Sequence, residues 1–255
     1  MNIFYTIVLA IIEGFTEFLP ISSTGHLILA SKLLTIPSSE FLSSFEIAIQ
    51  LGAILAVVVL FPKYLFQDKK TIVRIALAFL PTAIIGFILY PFVKGFLLGS
   101  AYVVVFALLI GGVVLIFLEN ILKKKEVGEE IEKLKYPNAV LIGVIQSLAI
   151  VPGVSRSAAT IIGARFLGLS REAAVLFSFL LAVPTMAAAT GFDLLKSGFD
   201  FSFNEFLMLG VGFVVSFVFA LISVRFLLKF VRIHDFKAFG VYRILVAILF
   251  LIFVL

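Results

Sequence analysis

Two short stretches concentrate the groups capable of chemistry in a chain built mostly from aliphatic and aromatic residues. From position 10 to 30 it reads AIIEGFTEFLPISSTGHLILA, with Glu13 and Glu17 four apart and Ser22, Ser23, Thr24 and His26 following at once. On a helix the two carboxylates share one face. From Gln146 to Thr160 it reads QSLAIVPGVSRSAAT, so that Ser155, Arg156 and Ser157 follow a Pro-Gly turn. Ser155 is a natural N-cap, with Arg156 and Ser157 in the first turn of the helix it starts, and Ser22 and Ser23 make the matching cap of the first stretch. A cation at a helix N-terminus opposes the macrodipole, so something anionic must compensate it, and the free N–H groups of that turn bind the same anion. Arginine grips phosphate through two parallel hydrogen bonds. Hydroxyls, backbone donors and an arginine beside two carboxylates and a histidine make an anion site with nucleophile and acid–base candidates, the chemistry of phosphoryl transfer. Plainer readings stand beside this one. Glu13 and Glu17 could be helix-end residues reaching an interface, His26 a structural histidine, and Arg156 the partner of Glu17 in an ion pair that leaves ligand binding open.

What must position these residues follows from composition. Of 255 residues, 62% are hydrophobic and 14% charged, with a mean hydropathy of +1.24. Soluble domains run near 45–50% apolar and about 25% charged, so the solvent for this chain is lipid. With no cysteine, disulfides and thiolate metal sites are excluded. The net charge of +5 reports membrane topology rather than nucleic-acid binding. The apolar N-terminus lacks a basic leader and a small-residue cleavage site and carries Glu13 and Glu17 at its end, so we expect it to be mature protein rather than a signal peptide.

Apolar segments fall at about 3–19, 24–36, 41–61, 71–92, 101–118, 138–151, 157–168, 171–191, 204–230 and 239–255. Most are long enough to cross a bilayer, which takes roughly 20 helical residues. Segment 24–36 spans only roughly 20 Å against a hydrocarbon core of about 30 Å, and its uncharged link to segment 3–19 is too short for a solvated loop. The pair therefore predicts a re-entrant helical hairpin, and 138–151 with 157–168 repeats it. Broken backbone at membrane depth requires protein or a water-filled cavity around it. Three crossings separate the hairpins, so the second enters from the opposite face. The fold expected is all-α and polytopic: one membrane domain over 1–255, made of two inverted repeats at about 1–119 and 138–255. Each repeat holds a re-entrant helical hairpin and three transmembrane helices, and the hairpin tips meet near the midplane.

Lys and Arg orient it. Connections 62–74, 119–137 and 224–243, with Arg165 and Arg171, hold 16 basic residues, against Lys32, Lys94 and Lys196 on the other side and Arg156 inside the membrane. The positive-inside rule then places both termini and the mouth of the first hairpin outside.

The segments EGFTEFLPISSTGH and PGVSRSAAT resemble the two signature motifs of the bacterial undecaprenyl-pyrophosphate phosphatase family, the bacitracin-resistance proteins. The similarity runs through FEIAIQLGAILAVVV at 45–59 and FSFLLAVP at 177–184, with Ala158 standing where glycine is expected. The resemblance implies hydrolysis of undecaprenyl diphosphate to the monophosphate and inorganic phosphate, recycling the lipid carrier for cell-wall synthesis. It also implies a divalent cation (Mg2+ or Ca2+), a place in the bacterial plasma membrane and an active site open to its outer side. A homodimer is compatible with the sequence.

On that footing Ser23 is the expected nucleophile, with His26 as its base or as the acid for the leaving group. Direct attack by His26 is the competing mechanism. Glu17 and Glu13 are expected to hold the metal or orient His26, and Arg156, with Ser22, Thr24, Ser155 and Ser157, to bind the diphosphate. Gln50, one turn after Glu46, is expected in a structural hydrogen bond or behind the site. Two rivals remain open: a polyprenyl-lipid flippase using the same polar cup, which needs no nucleophile beside a base, and an intramembrane serine hydrolase, which leaves Arg156 and the two carboxylates unexplained.

Overall fold

The structure is a computed structural model. It describes all residues except 38, 93–96, 98–99, 123–127, 198–200 and 254–255, with backbone alone for 90–91 and 193–197. Among the described residues the chain is helical, without strands: α1 (Ile3–Thr16), α2 (Ser23–Leu33), α3 (Glu40–Leu60), the single turn α4 (Pro62–Phe66), α5 (Lys69–Phe92), α6 (Ala101–Leu122), α7 (Tyr136–Gln146), α8 (Arg156–Phe166), α9 (Arg171–Ser197), α10 (Phe203–Val231) and α11 (Lys237–Phe253). Five of them, α3, α5, α6, α9 and α10, are long and apolar enough to cross a membrane. This fits a multi-pass membrane protein. Helix α11, with 17 residues, sits at the lower limit of a span.

The short pairs α1–α2 and α7–α8 are separated by turns rather than loops. Helix α1 ends three residues earlier than the apolar pattern suggests, because residues 17–21 form a run of turns ahead of the helix cap at Ser22. Helix α7 gives way to a 3-10 turn over Ser147–Ile150 before Pro152. Tertiary packing is reciprocal: α1 and α3 pack on α10, α7 and α9 pack on α5, and α6 packs on α11. Glycines let the short helices come in close. A Cβ at Gly14 would run into the Ser216 carbonyl of α10, and one at Gly143 into the Ala78 carbonyl of α5. Without a hydrophobic drive between helices in lipid, such close backbone approach is what favours their association.

The basic residues behave less uniformly than a topology count assumes. Lys94, Lys123, Lys124 and Lys125 lie outside the described residues, as does the side chain of Lys196. Arg74 is buried and pins α5 to the segment before α7, its Nε donating to the Leu134 carbonyl and Nη2 to that of Glu132, both at 2.6 Å. Arg171 pairs with the buried Glu119 at 3.1 Å. Arg243 corrects the count outright. The count places it in the connection 224–243, but the structure connects α10 to α11 only over 232–236: Arg225 and Lys229 lie in the last turns of α10, and Arg243 is a fully buried residue within α11.

Candidate active site

Both tips are built the same way. Ser22 (φ 73°, ψ 92°) caps α2 and its Oγ accepts from the Gly25 N–H at 3.3 Å; Ser155 (φ 75°, ψ 112°) caps α8 and its Oγ accepts from the Ala158 N–H at 3.1 Å. Ser23 is therefore the first residue inside its helix rather than part of the cap, and Arg156 is its counterpart in α8. Each cap satisfies one donor that would otherwise be stranded in a low-dielectric interior, and the other N–H groups ahead of the helix ladder have no partner among the described residues.

The tips are joined by side chains that cross between them. Arg156 Nη2 donates to Glu17 Oε1 at 2.8 Å, and Ser157 Oγ donates to the Phe18 carbonyl at 2.7 Å. Arg156 is further held by its Nη1, which donates to the Ser178 carbonyl at 3.0 Å, and its guanidinium lies 5.8 Å from the centre of the Phe18 ring. Its Nε is buried without a partner among the described residues. The other oxygen of Glu17, Oε2, accepts the Ser23 hydroxyl. One carboxylate thus links a hydroxyl of the first tip to the arginine of the second.

These groups wall an open cavity of about 230 Å³, lined by Glu17, Ser22, Ser23, Thr24, Ser155 and Arg156, with Gln50, Ala149, Met186, Ala189 and the 151–153 turn completing it. At about 30 Å³ per water, that is room for about eight waters.

Of the residues singled out in the sequence, three stand elsewhere. Ser157 is buried behind the wall. Glu13 is fully buried behind Glu17, its nearest charges being Glu17, Glu46 and Arg156. Neither of its carboxylate oxygens has a partner among the described residues. His26 is turned away from the cavity. Its Nδ1 lies 2.7 Å from the Ser22 carbonyl, its Nε2 lies 2.9 Å from the Tyr242 hydroxyl, and its ring stacks on that of Tyr242 at 5.6 Å. A carbonyl only accepts, so Nδ1 carries a proton, and in the neutral ring Nε2 accepts from the tyrosine.

Sequence reasoning missed Ser178, Tyr242 and Arg243. Ser178 lies within FSFLLAVP, a segment noted for its family similarity but not for this serine, and Tyr242 is an ordinary residue on an apolar helix. Arg243 did carry a signal: an arginine inside GVYRILVAILF is functional by default in a membrane helix.

The family described as Bacitracin resistance protein BacA matches residues 6–249. The chain is similar to the undecaprenyl-diphosphatase of Aquifex aeolicus, 50% identical over 255 residues and the whole of both chains. It is also similar to that of Wolinella succinogenes, 49% identical over 99% of this chain and 98% of the relative. A third relative, the undecaprenyl-diphosphatase of Thermus thermophilus, is 46% identical over 98% and 96% of the two chains.

Proposed function

The chain belongs to the bacitracin resistance protein BacA family, and from that membership we infer that it is a membrane undecaprenyl-diphosphatase, converting undecaprenyl diphosphate to undecaprenyl phosphate and inorganic phosphate. The observation that carries this to particular residues is the bridge Ser23–Glu17–Arg156, which puts a hydroxyl, a proton acceptor and an anion binder of two separate hairpins on one cavity.

The terminal phosphate enters the cavity and meets the guanidinium of Arg156 and the N–H groups at the α8 N-terminus. Ser23 Oγ attacks the terminal phosphorus and its proton passes to Glu17. The bond from that phosphorus to the bridging oxygen breaks, and undecaprenyl phosphate leaves with the proton that Glu17 returns to it. Water then attacks the phosphoserine and gives a proton to the freed Glu17 carboxylate, which passes it to Ser23 Oγ as the Ser23–phosphorus bond breaks and phosphate departs. Arg156 offsets the charge on the transferred phosphoryl group throughout. His26 holds the Ser22 turn through its Nδ1–H. Attack by His26 itself would require the ring to leave both Ser22 and Tyr242.

The buried, unpartnered carboxylate of Glu13 fits a resident cation. An ion removed from water costs several kcal/mol unless a proton or counter-charge accompanies it. An oxygen-only donor set suits magnesium or calcium. Among the described residues no three acidic or histidine side chains converge as a metal cage, so ligands beyond Glu13 and Glu17 would come from phosphate oxygens and water, as is usual for magnesium. Such an ion supplies charge neutralisation on the diphosphate.

The finer architecture belongs to the same reading. The matched caps at Ser22 and Ser155 and the reciprocal packing of α1 on α10 and α7 on α5 support two inverted repeats with re-entrant hairpins. The site opens to the outer side of the bacterial plasma membrane. Phosphate release by purified protein from undecaprenyl diphosphate tests the whole. We expect release that a chelator abolishes and added magnesium or calcium restores. Absence of release under all these conditions would refute it.

A further inference from the structure

We propose that Arg243 is a positioning residue of this site, clamping the two tips against each other and aiming the backbone of the second at the substrate anion. The inference rests on the phosphatase reading. Its side chain is fully buried and, among the described residues, its guanidinium donates only to backbone carbonyls. Nη1 reaches Pro20 at 3.2 Å and Val154 at 3.0 Å; Nη2 reaches Gly153 at 2.8 Å and Ala107 at 3.0 Å; Nε reaches Leu108 at 3.4 Å. Three segments meet there: the first tip, the second tip and α6.

The choice of residue follows from what the tips lack. Turns inside a membrane carry carbonyls that no helix ladder satisfies and no water reaches. A guanidinium, a planar fork of five N–H donors, can gather carbonyls from several directions, whereas an ammonium offers three donors from one point. Among the described residues Arg243 forms no ion pair with a carboxylate, so its charge stands unopposed behind the cavity wall and favours an anion in front of it.

The hydrogen bonds also fix orientation. The carbonyls Arg243 holds lie just before Ser22 and Ser155. The Val154–Ser155 peptide is trans, as are all those described, so holding its carbonyl turns the Ser155 N–H the opposite way. No described hydrogen bond uses that N–H, and Ser155 lines the cavity. Arg243 therefore presents a rigid donor to the phosphate without touching it.

The test uses the full-length protein in detergent, with undecaprenyl diphosphate as substrate. Arg243→Lys should lower kcat on the order of 10²-fold while KM stays within about threefold, because Arg156 still binds the anion but the tip donors no longer match the transition state. Should that variant fail to fold, Gly111→Ala decides. A methyl at Gly111 collides with Nη2 of Arg243 and displaces the guanidinium without removing its charge. The expected result is a kcat-selective loss of about tenfold. A monodisperse Gly111→Ala or Arg243→Lys protein with wild-type kcat overturns the inference. So does a loss that only tracks the fraction of unfolded protein. Wild-type protein that releases no phosphate in the same assay instead overturns the phosphatase reading beneath it.

Discussion

Ser22 and Ser155 share a left-handed backbone, φ 73° and 75°, each capping a helix of 11 residues after a turn. For a residue with a Cβ that conformation costs about 1–2 kcal/mol. Glycine would remove the strain and, as a cap, lose only a few tenths of a kcal/mol. Ser155→Gly should therefore unfold at the same temperature as wild type or higher, yet lose about tenfold in kcat/KM as the turn loosens around the anion. Thermal unfolding and phosphate release on one preparation read both. A destabilised, fully active protein would contradict this.

Arg156→Lys should not behave as a conservative change. One ammonium cannot hold Glu17 and the Ser178 carbonyl and still reach a phosphate. We expect kcat/KM to fall on the order of 10²-fold or more, roughly 2.7 kcal/mol of transition-state stabilisation. Near-normal turnover would make Arg156 a structural residue only.

Glu17→Gln keeps one oxygen acceptor, enough for Arg156 or Ser23 but not both, and cannot take the proton. Its kcat should drop by about 10²–10⁴-fold, the usual range for losing a general base. Because the two residues act on the same proton, Ser23→Ala/Glu17→Gln should be no slower than Ser23→Ala alone. Multiplicative losses in the double variant would separate their roles.

Much of this was legible from residue order. Hydropathy locates the long helices and the Pro-Ser turns locate both helix caps; of the residues expected at the site, Glu17, Ser22, Ser23, Thr24, Ser155 and Arg156 line the cavity, whereas Glu13, His26 and Ser157 do not. The Glu17–Arg156 pair was anticipated as an ion pair compatible with ligand binding. What escaped depended on side-chain direction across a tertiary contact. His26 is three residues from Ser23 in sequence, yet its ring follows Tyr242 on α11 rather than the cavity. Arg243 was assigned by charge to a connection, whereas the unsatisfied carbonyls of two distant turns keep it inside.

The absence of native cysteine makes topology testable directly. Lys133, in the connection before α7, and Asn204, in the first turn of α10, are both exposed, and the inverted arrangement places them on opposite faces. A cysteine at Lys133 should react with an impermeant thiol reagent only from the cytoplasm, and one at Asn204 only from outside. Labelling of both from one face would exclude that arrangement.

The central claim is that Ser23 attacks the terminal phosphorus while Glu17 takes its proton. Rapid quench during turnover of undecaprenyl diphosphate labelled in its terminal phosphate tests it most directly, because phosphoserine survives acid and phosphohistidine survives base. The account predicts acid-stable label on the peptide containing Ser23, absent from Ser23→Ala, with His26→Gln retaining slow turnover. Acid-labile, base-stable label at His26, with measurable activity left in Ser23→Ala, would contradict it and make Ser23 a binding group.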